Sequence, residues 1–144
     1  MVGVMITGHG EFPTGALTAV KLVAGVSENI VAVNFREGMS SEELKANMQK
    51  VMIEMPYDEI LVLADLPGGT PFRTAAELKM ALPEKQIRVV SGANLPCMVE
   101  AAFSSSFMGL DELTADVIEN GKENFIDFDH MADDSEEPDF GEGL

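Results

Sequence analysis

His9 stands between two glycines at the end of a short apolar run, in Thr7-Gly8-His9-Gly10. An unprotonated imidazole is a good nucleophile at neutral pH. The chain has one other histidine, His130, set among acidic residues near its end. Asp65 ends a second apolar run and leads into Leu66-Pro67-Gly68-Gly69-Thr70-Pro71. A carboxylate bonded to one imidazole N–H fixes the tautomer and leaves the other nitrogen free to attack. It also steadies the positive charge that attack creates. The plainer readings are a loop histidine bonded locally and a turn aspartate ahead of Gly68 and Gly69.

Glycines let backbone N–H groups come close to a ligand. A helix N-terminus adds unpaired N–H donors and partial positive charge. The two together hold an anion without any Lys or Arg. The loops at Gly10 and at Gly68-Gly69 therefore point to a small anion such as phosphate. No His, Cys and carboxylate spacing suggests a metal site. Cys97, near a helix start, reads as core.

The elements that must carry these residues follow from periodicity. Residues 2–7, 29–35, 59–64 and 86–90 are short apolar runs, read as strands. The third, EILVLA, is apolar without alternation, as in a strand covered on both faces. Between the strands lie amphipathic segments. One runs from Pro13 to Ala24 and stops at Gly25. A second follows a capping box of Ser40 and Glu43 and is closed by Pro56. A third starts with Thr70 as N-cap and Pro71 in its first turn and breaks at Pro83. Asn94 caps a fourth, running to about Phe107, and Asp111 caps a last one, reaching about Gly121. The order βαβαβαβα predicts an α/β fold with an open, mostly parallel sheet, right-handed crossovers and helices on both faces. Ligands in such sheets bind beyond the carboxyl ends of the strands, where strand order reverses. His9 and Asp65 fall at that edge.

The chain's 144 residues fit one domain. Its net charge of −16 makes nucleic acid and anionic lipid poor partners. A single cysteine allows no internal disulfide and fits a reducing compartment. The N-terminus lacks a basic segment and is not a signal peptide. No stretch reaches the roughly 18 apolar residues of a membrane span. A cytoplasmic location is expected. From residue 129 the chain is acidic, without Lys or Arg, and nearly free of large apolar groups. The expected organisation is a domain over 1–128 and a disordered tail over 129–144.

Rival chemistries fit less well. A receiver domain needs acidic residues after the first strand to hold Mg²⁺, where this chain has Thr7-Gly8-His9. A flavin site wants a nearby aromatic, yet Trp is absent and Tyr57 lies at the wrong end of the third strand. Gly8 and Gly10 lack the third glycine of a dinucleotide fingerprint.

Three segments together resemble the IIA component of the mannose-type sugar phosphotransferase system, over about residues 1–125. They are Thr7-Gly8-His9-Gly10, Asp65-Leu66-Pro67-Gly68-Gly69-Thr70-Pro71-Phe72, and Ser91-Gly92-Ala93-Asn94-Leu95-Pro96 followed by Met98-Val99-Glu100. The resemblance implies that His9 is phosphorylated, that Asp65 bonds its other nitrogen and that the Thr70 hydroxyl lies beside the phosphate. With Gly10, Gly68 and Gly69, it would surround the phosphoryl oxygens. No cofactor is implied. The donor would be HPr and the acceptor a separate IIB chain serving the membrane components IIC and IID. A homodimer exchanging one antiparallel strand is implied as well, with 123–128 (ENFIDF) as the candidate strand or else an extension of the last helix. Arg73 stands where the mannose member has a small polar residue, which looks more like the amino-sugar branch. The phosphoryl-donor subunit of dihydroxyacetone kinase shares the fold and remains an alternative, as does a non-catalytic ligand-binding or scaffold domain.

Overall fold

The computed structural model describes residues 1–131. Most of the acidic segment, 132–144, lies outside the described residues. Four strands, β1 (Gly3–His9), β2 (Ile30–Phe35), β3 (Glu59–Ala64) and β4 (Gln86–Val90), form one parallel sheet in the order β2-β1-β3-β4. Five helices connect and follow them: α1 (Phe12–Ala24), α2 (Ser41–Glu54), α3 (Thr70–Ala81), α4 (Leu95–Ser104) and α5 (Leu110–Glu123). The chain leaves β1 for β2 on one side, then crosses back over β1 to β3 on the other. The reversal of strand order thus falls between β1 and β3.

Strand alternation divides the core in two. Val4 and Ile6 of β1 and Leu61 and Leu63 of β3 bury against Val20 of α1, Met98 and Ala101 of α4, and Leu113 and Val117 of α5. Met5, Ile60 and Val62 point the other way, onto Leu44, Met48 and Met52 of α2 and Ala75 and Leu78 of α3. Both faces of β3 are covered, which explains its unbroken apolar sequence. Truncating a side chain such as Leu63 to alanine costs about 2–5 kcal/mol in a core of this kind.

Local sequence sets the helix ends. Pro13, Pro71 and Pro96 each sit second in their helix, where the missing N–H has no partner to lose. Ser40 accepts from the Glu43 N–H, and Asn94 from the Cys97 N–H. Asn94 also donates to the Gly121 carbonyl and so ties the start of α4 to α5. Gly25 ends α1 at φ 87°, in the left-handed region.

Several boundaries differ from expectation. β1 extends through Gly8 to His9, because both pair with β2. The cap of α3 is Gly69, and Thr70 is its first helical residue. The cap of α5 is Gly109; Asp111 lies in the first turn, 2.6 Å from Arg88. α4 stops at Ser104 rather than near Phe107. In the candidate strand 123–128, Glu123 still belongs to α5, 124–127 carry no strand, and Phe128–His130 form a short 3-10 turn. A strand that pairs only across subunits has no ladder to join within one chain. His130 ends that turn, bonded to Asp127 at 2.8 Å, so the first residues of the expected tail hold local structure.

Candidate active site

His9 is the last residue of β1, and Asp65 follows β3 directly. Since β1 and β3 are neighbours, the parallel ladder brings these two ends together. One carboxylate oxygen, Asp65 Oδ2, accepts from the His9 backbone N–H and lies 2.9 Å from both that nitrogen and ring Nδ1. The other, Oδ1, accepts from the Leu66 N–H at 2.8 Å. The Asp65 backbone is fixed in turn by its N–H to the Thr7 carbonyl.

Burial raises the Asp65 carboxyl, but the His9 backbone N–H, the His9 ring and the Leu66 N–H together outweigh it and hold the group below its ordinary value. Asp65 is therefore ionised at neutral pH and can only accept. The proton between the two residues then belongs to Nδ1, and Nε2 carries the free lone pair.

Two glycines make room for this pair. A methyl group on Gly8 would fall 2.7 Å from Asp65 Cγ. One on Gly69 would fall 2.9 Å from His9 Cε1 and 3.6 Å from Nε2. Nε2 thus faces the start of α3, where Thr70 and the unpaired N–H groups of the first turn lie. The Thr70 hydroxyl has no hydrogen-bond partner among the described residues. The ring of Phe35, from β2, meets the imidazole edge to face with centroids 5.9 Å apart. The His9 side chain remains 46% exposed, against 13% for Asp65, so the imidazole is reachable and the carboxylate is largely covered.

The candidate residues His9, Asp65, Gly69 and Thr70 thus meet at one place. Gly10 and Gly68 adopt the left-handed backbone of the two loops, at φ 62° and 74°, and the Gly10 N–H is taken by the Phe35 carbonyl. The loop of Ser91 to Asn94 makes no hydrogen bond to His9; it caps α4 and lines a separate cavity near β4. His130 is exposed and paired with Asp127, far along the chain from His9 and Asp65. Cys97 is buried, as a core residue would be. Gly8, Phe35 and Leu66 join the site without having been picked out by sequence. Gly8 alone left a signal, its place beside His9. Among the described residues no group of three or more His, Cys, Asp or Glu could hold a metal ion, and no helix is long and apolar enough to cross a membrane.

Comparison with known proteins gives the family. The family described as EIIA-man, PTS system fructose IIA component, matches residues 3–118. The fructose-specific EIIA component of Bacillus subtilis (strain 168) is 29% identical over 78% of this chain and 77% of its own. The sorbose-specific EIIA component of Klebsiella pneumoniae is 32% identical over 78% and 82%. The solved structure of a phosphotransferase system EIIA component from Streptococcus agalactiae superposes with a TM-score of 0.85 at 39% identity, covering 90% of this chain and 98% of that one. A fold and match of this extent define a phosphotransferase component of a sugar phosphotransferase system. Within that class, the chain belongs to the mannose-type IIA family.

Proposed function

We propose that the chain is a phosphohistidine carrier, taking a phosphoryl group from HPr onto Nε2 of His9 and passing it to a IIB component. The observation that carries this reading is the 2.9 Å contact of His9 Nδ1 with Asp65 Oδ2, which leaves Nε2 facing the N-terminus of α3. In the forward step the Nε2 lone pair forms the P–N bond as the donor's bond to phosphorus breaks, and the donor keeps that electron pair. Nδ1 retains its proton, so the ring gains positive charge, which the Asp65 carboxylate stabilises. The Gly68-Gly69 loop and the Thr70 hydroxyl face the equatorial oxygens, where prearranged donors lower the barrier most, and the Gly10 turn, its own N–H held by the Phe35 carbonyl, borders them. The second transfer reverses these roles toward IIB, which serves the membrane components IIC and IID in the cytoplasm. No metal or nucleotide is implied.

Phosphorylated HPr should label the chain once. The label should be acid-labile and comparatively base-stable, as for a phosphoryl group on imidazole nitrogen. His9→Ala should abolish it with the circular dichroism spectrum intact, and His130→Ala should leave it unchanged. Label that survives in His9→Ala would put the acceptor elsewhere. Absence of label from every cognate donor would leave a binding module in place of a carrier.

A further inference from the structure

We infer that Arg73 is a further residue of the phosphoryl site, its guanidinium closing on the oxygens of the group carried by His9. This rests on the carrier reading above. A groove of about 400 Å³ runs between the first turns of α2 and α3, with Lys45 on one side and Thr70, Arg73 and Thr74 on the other. Its Thr70 end adjoins Gly69, where an added methyl group would meet the His9 ring. His9 is in phase with Met5, which packs toward α2 and α3.

Unused polar groups collect here. Thr74 is only 4% exposed, lines the groove, and has no hydrogen-bond partner for its hydroxyl among the described residues. The Thr70 hydroxyl, one turn earlier, is equally free. Of the three arginines, Arg36 lies 3.7 Å from Glu11 and Arg88 lies 2.6 Å from Asp111, while the Arg73 guanidinium has no partner among the described residues. The groove's own carboxylates are engaged by other residues of the groove and not by Arg73. Glu77 pairs with Lys45 at 3.3 Å, and Glu42 accepts from the Ser41 hydroxyl.

A cation near a helix N-terminus is disfavoured, because that end already carries partial positive charge. A bound anion reverses the sign of the effect. Helical side chains lean toward the N-terminus of their helix, so the long side chain of Arg73 can reach back toward Thr70, with which it lines the groove. Gly69, the residue before Thr70, lies close to Nε2. A phosphoryl group there brings up to two negative charges beside the Asp65 carboxylate, in a chain of net charge −16. Arg73 offsets that charge, and its planar fork matches two phosphoryl oxygens at once.

The test uses the full chain and a small donor, phosphoramidate, which needs no protein docking. Arg73→Gln should slow phosphorylation of His9 roughly 10- to 100-fold, and Arg73→Lys should fall between it and the wild type. The ³¹P resonance of the phosphohistidine should move in Arg73→Gln. Lys50→Gln, which removes the same charge from the far end of α2, should match the wild type in both. Circular dichroism should be unchanged throughout, since Arg73 is exposed. An unchanged phosphoramidate rate with a raised KM for phosphorylated HPr would make Arg73 a docking residue and overturn the proposal. Equal slowing in Lys50→Gln would reduce it to a general charge effect, which overturns it too. A wild-type chain that takes no phosphoryl group from either donor would overturn the carrier reading along with it.

Discussion

Gly69 lies so close to His9 that one added methyl group would come within 2.9 Å of the ring at Cε1. The ring cannot retreat freely, because its Nδ1 is held at 2.9 Å by Asp65. The backbone of Gly69 is ordinary, at φ −73° and ψ 167°, so alanine there carries no conformational strain. At the site, the substitution acts through steric pressure on the imidazole. Gly69→Ala should keep its stability within about 0.5 kcal/mol and lose roughly a hundredfold in phosphorylation rate through misplacement of the ring. Thermal unfolding and single-turnover labelling, run side by side, check this. Wild-type labelling kinetics would mean that the ring tolerates displacement.

Asp65→Asn keeps the size of the side chain and removes its charge. An amide can accept from Nδ1–H through its oxygen, but it can also present N–H and favour the wrong tautomer. Transfer should slow by orders of magnitude while the fold survives, as when an orienting carboxylate is lost from a catalytic triad. Rapid-quench kinetics decide the point. If the mutant transfers at the wild-type rate, Asp65 is a turn residue and nothing more.

The same carboxylate should leave an acid signature. Its folded pKa lies below the ordinary value of 3.8, so the folded state holds the proton less tightly than the unfolded chain. The stabilisation is fully present above that ordinary value and is lost as pH falls through the lower, folded one. Denaturant unfolding of wild type and Asp65→Asn should therefore show a constant stability gap above about pH 5 that narrows as the pH drops below 4. A gap that widens in acid would contradict the sign of the shift.

Much of this site could be read from residue types and spacing. Strand periodicity placed His9 and Asp65 at the carboxyl ends of two strands. Proline and glycine marked where α1, α3 and α4 begin and where α1 stops. What spacing could not supply was register. Phe35 reaches the imidazole only because β1 and β2 pair His9 with Phe35, a tertiary fact with no local trace. Gly8 falls just outside the strand read over residues 2–7, yet it sits in β1, where its missing side chain admits the Asp65 carboxylate. Thr70 and Asp111 had the right chemistry for caps, but Gly69 and Gly109 hold the extended backbone at those positions. Their freed side chains serve other ends, a hydroxyl free for the proposed phosphoryl site and an ion pair with Arg88.

The last prediction concerns assembly. β4 is an edge strand, and one side of its backbone is not paired within the sheet. Such an edge is a template for another strand. Directly after α5, Phe125 is 92% exposed, and Ile126 and Phe128 are exposed as well. Phe125 also borders a mostly apolar cavity of about 450 Å³ beside the end of β4, formed with Val90, Val117 and Ile118. Adjacent apolar side chains in water, next to an open edge, favour burial against a second copy, and two-fold dimers are the commonest assembly. Light scattering at micromolar concentration should give about twice the 15.5 kDa chain mass. Phe125→Asp combined with Ile126→Lys should shift the chain toward monomer without changing its helical circular dichroism. His9 should still be labelled in that monomer, since neither residue lines the phosphoryl site. A wild-type chain that stays monomeric at high concentration would remove strand exchange, and a double variant that stays dimeric would move the interface to another face.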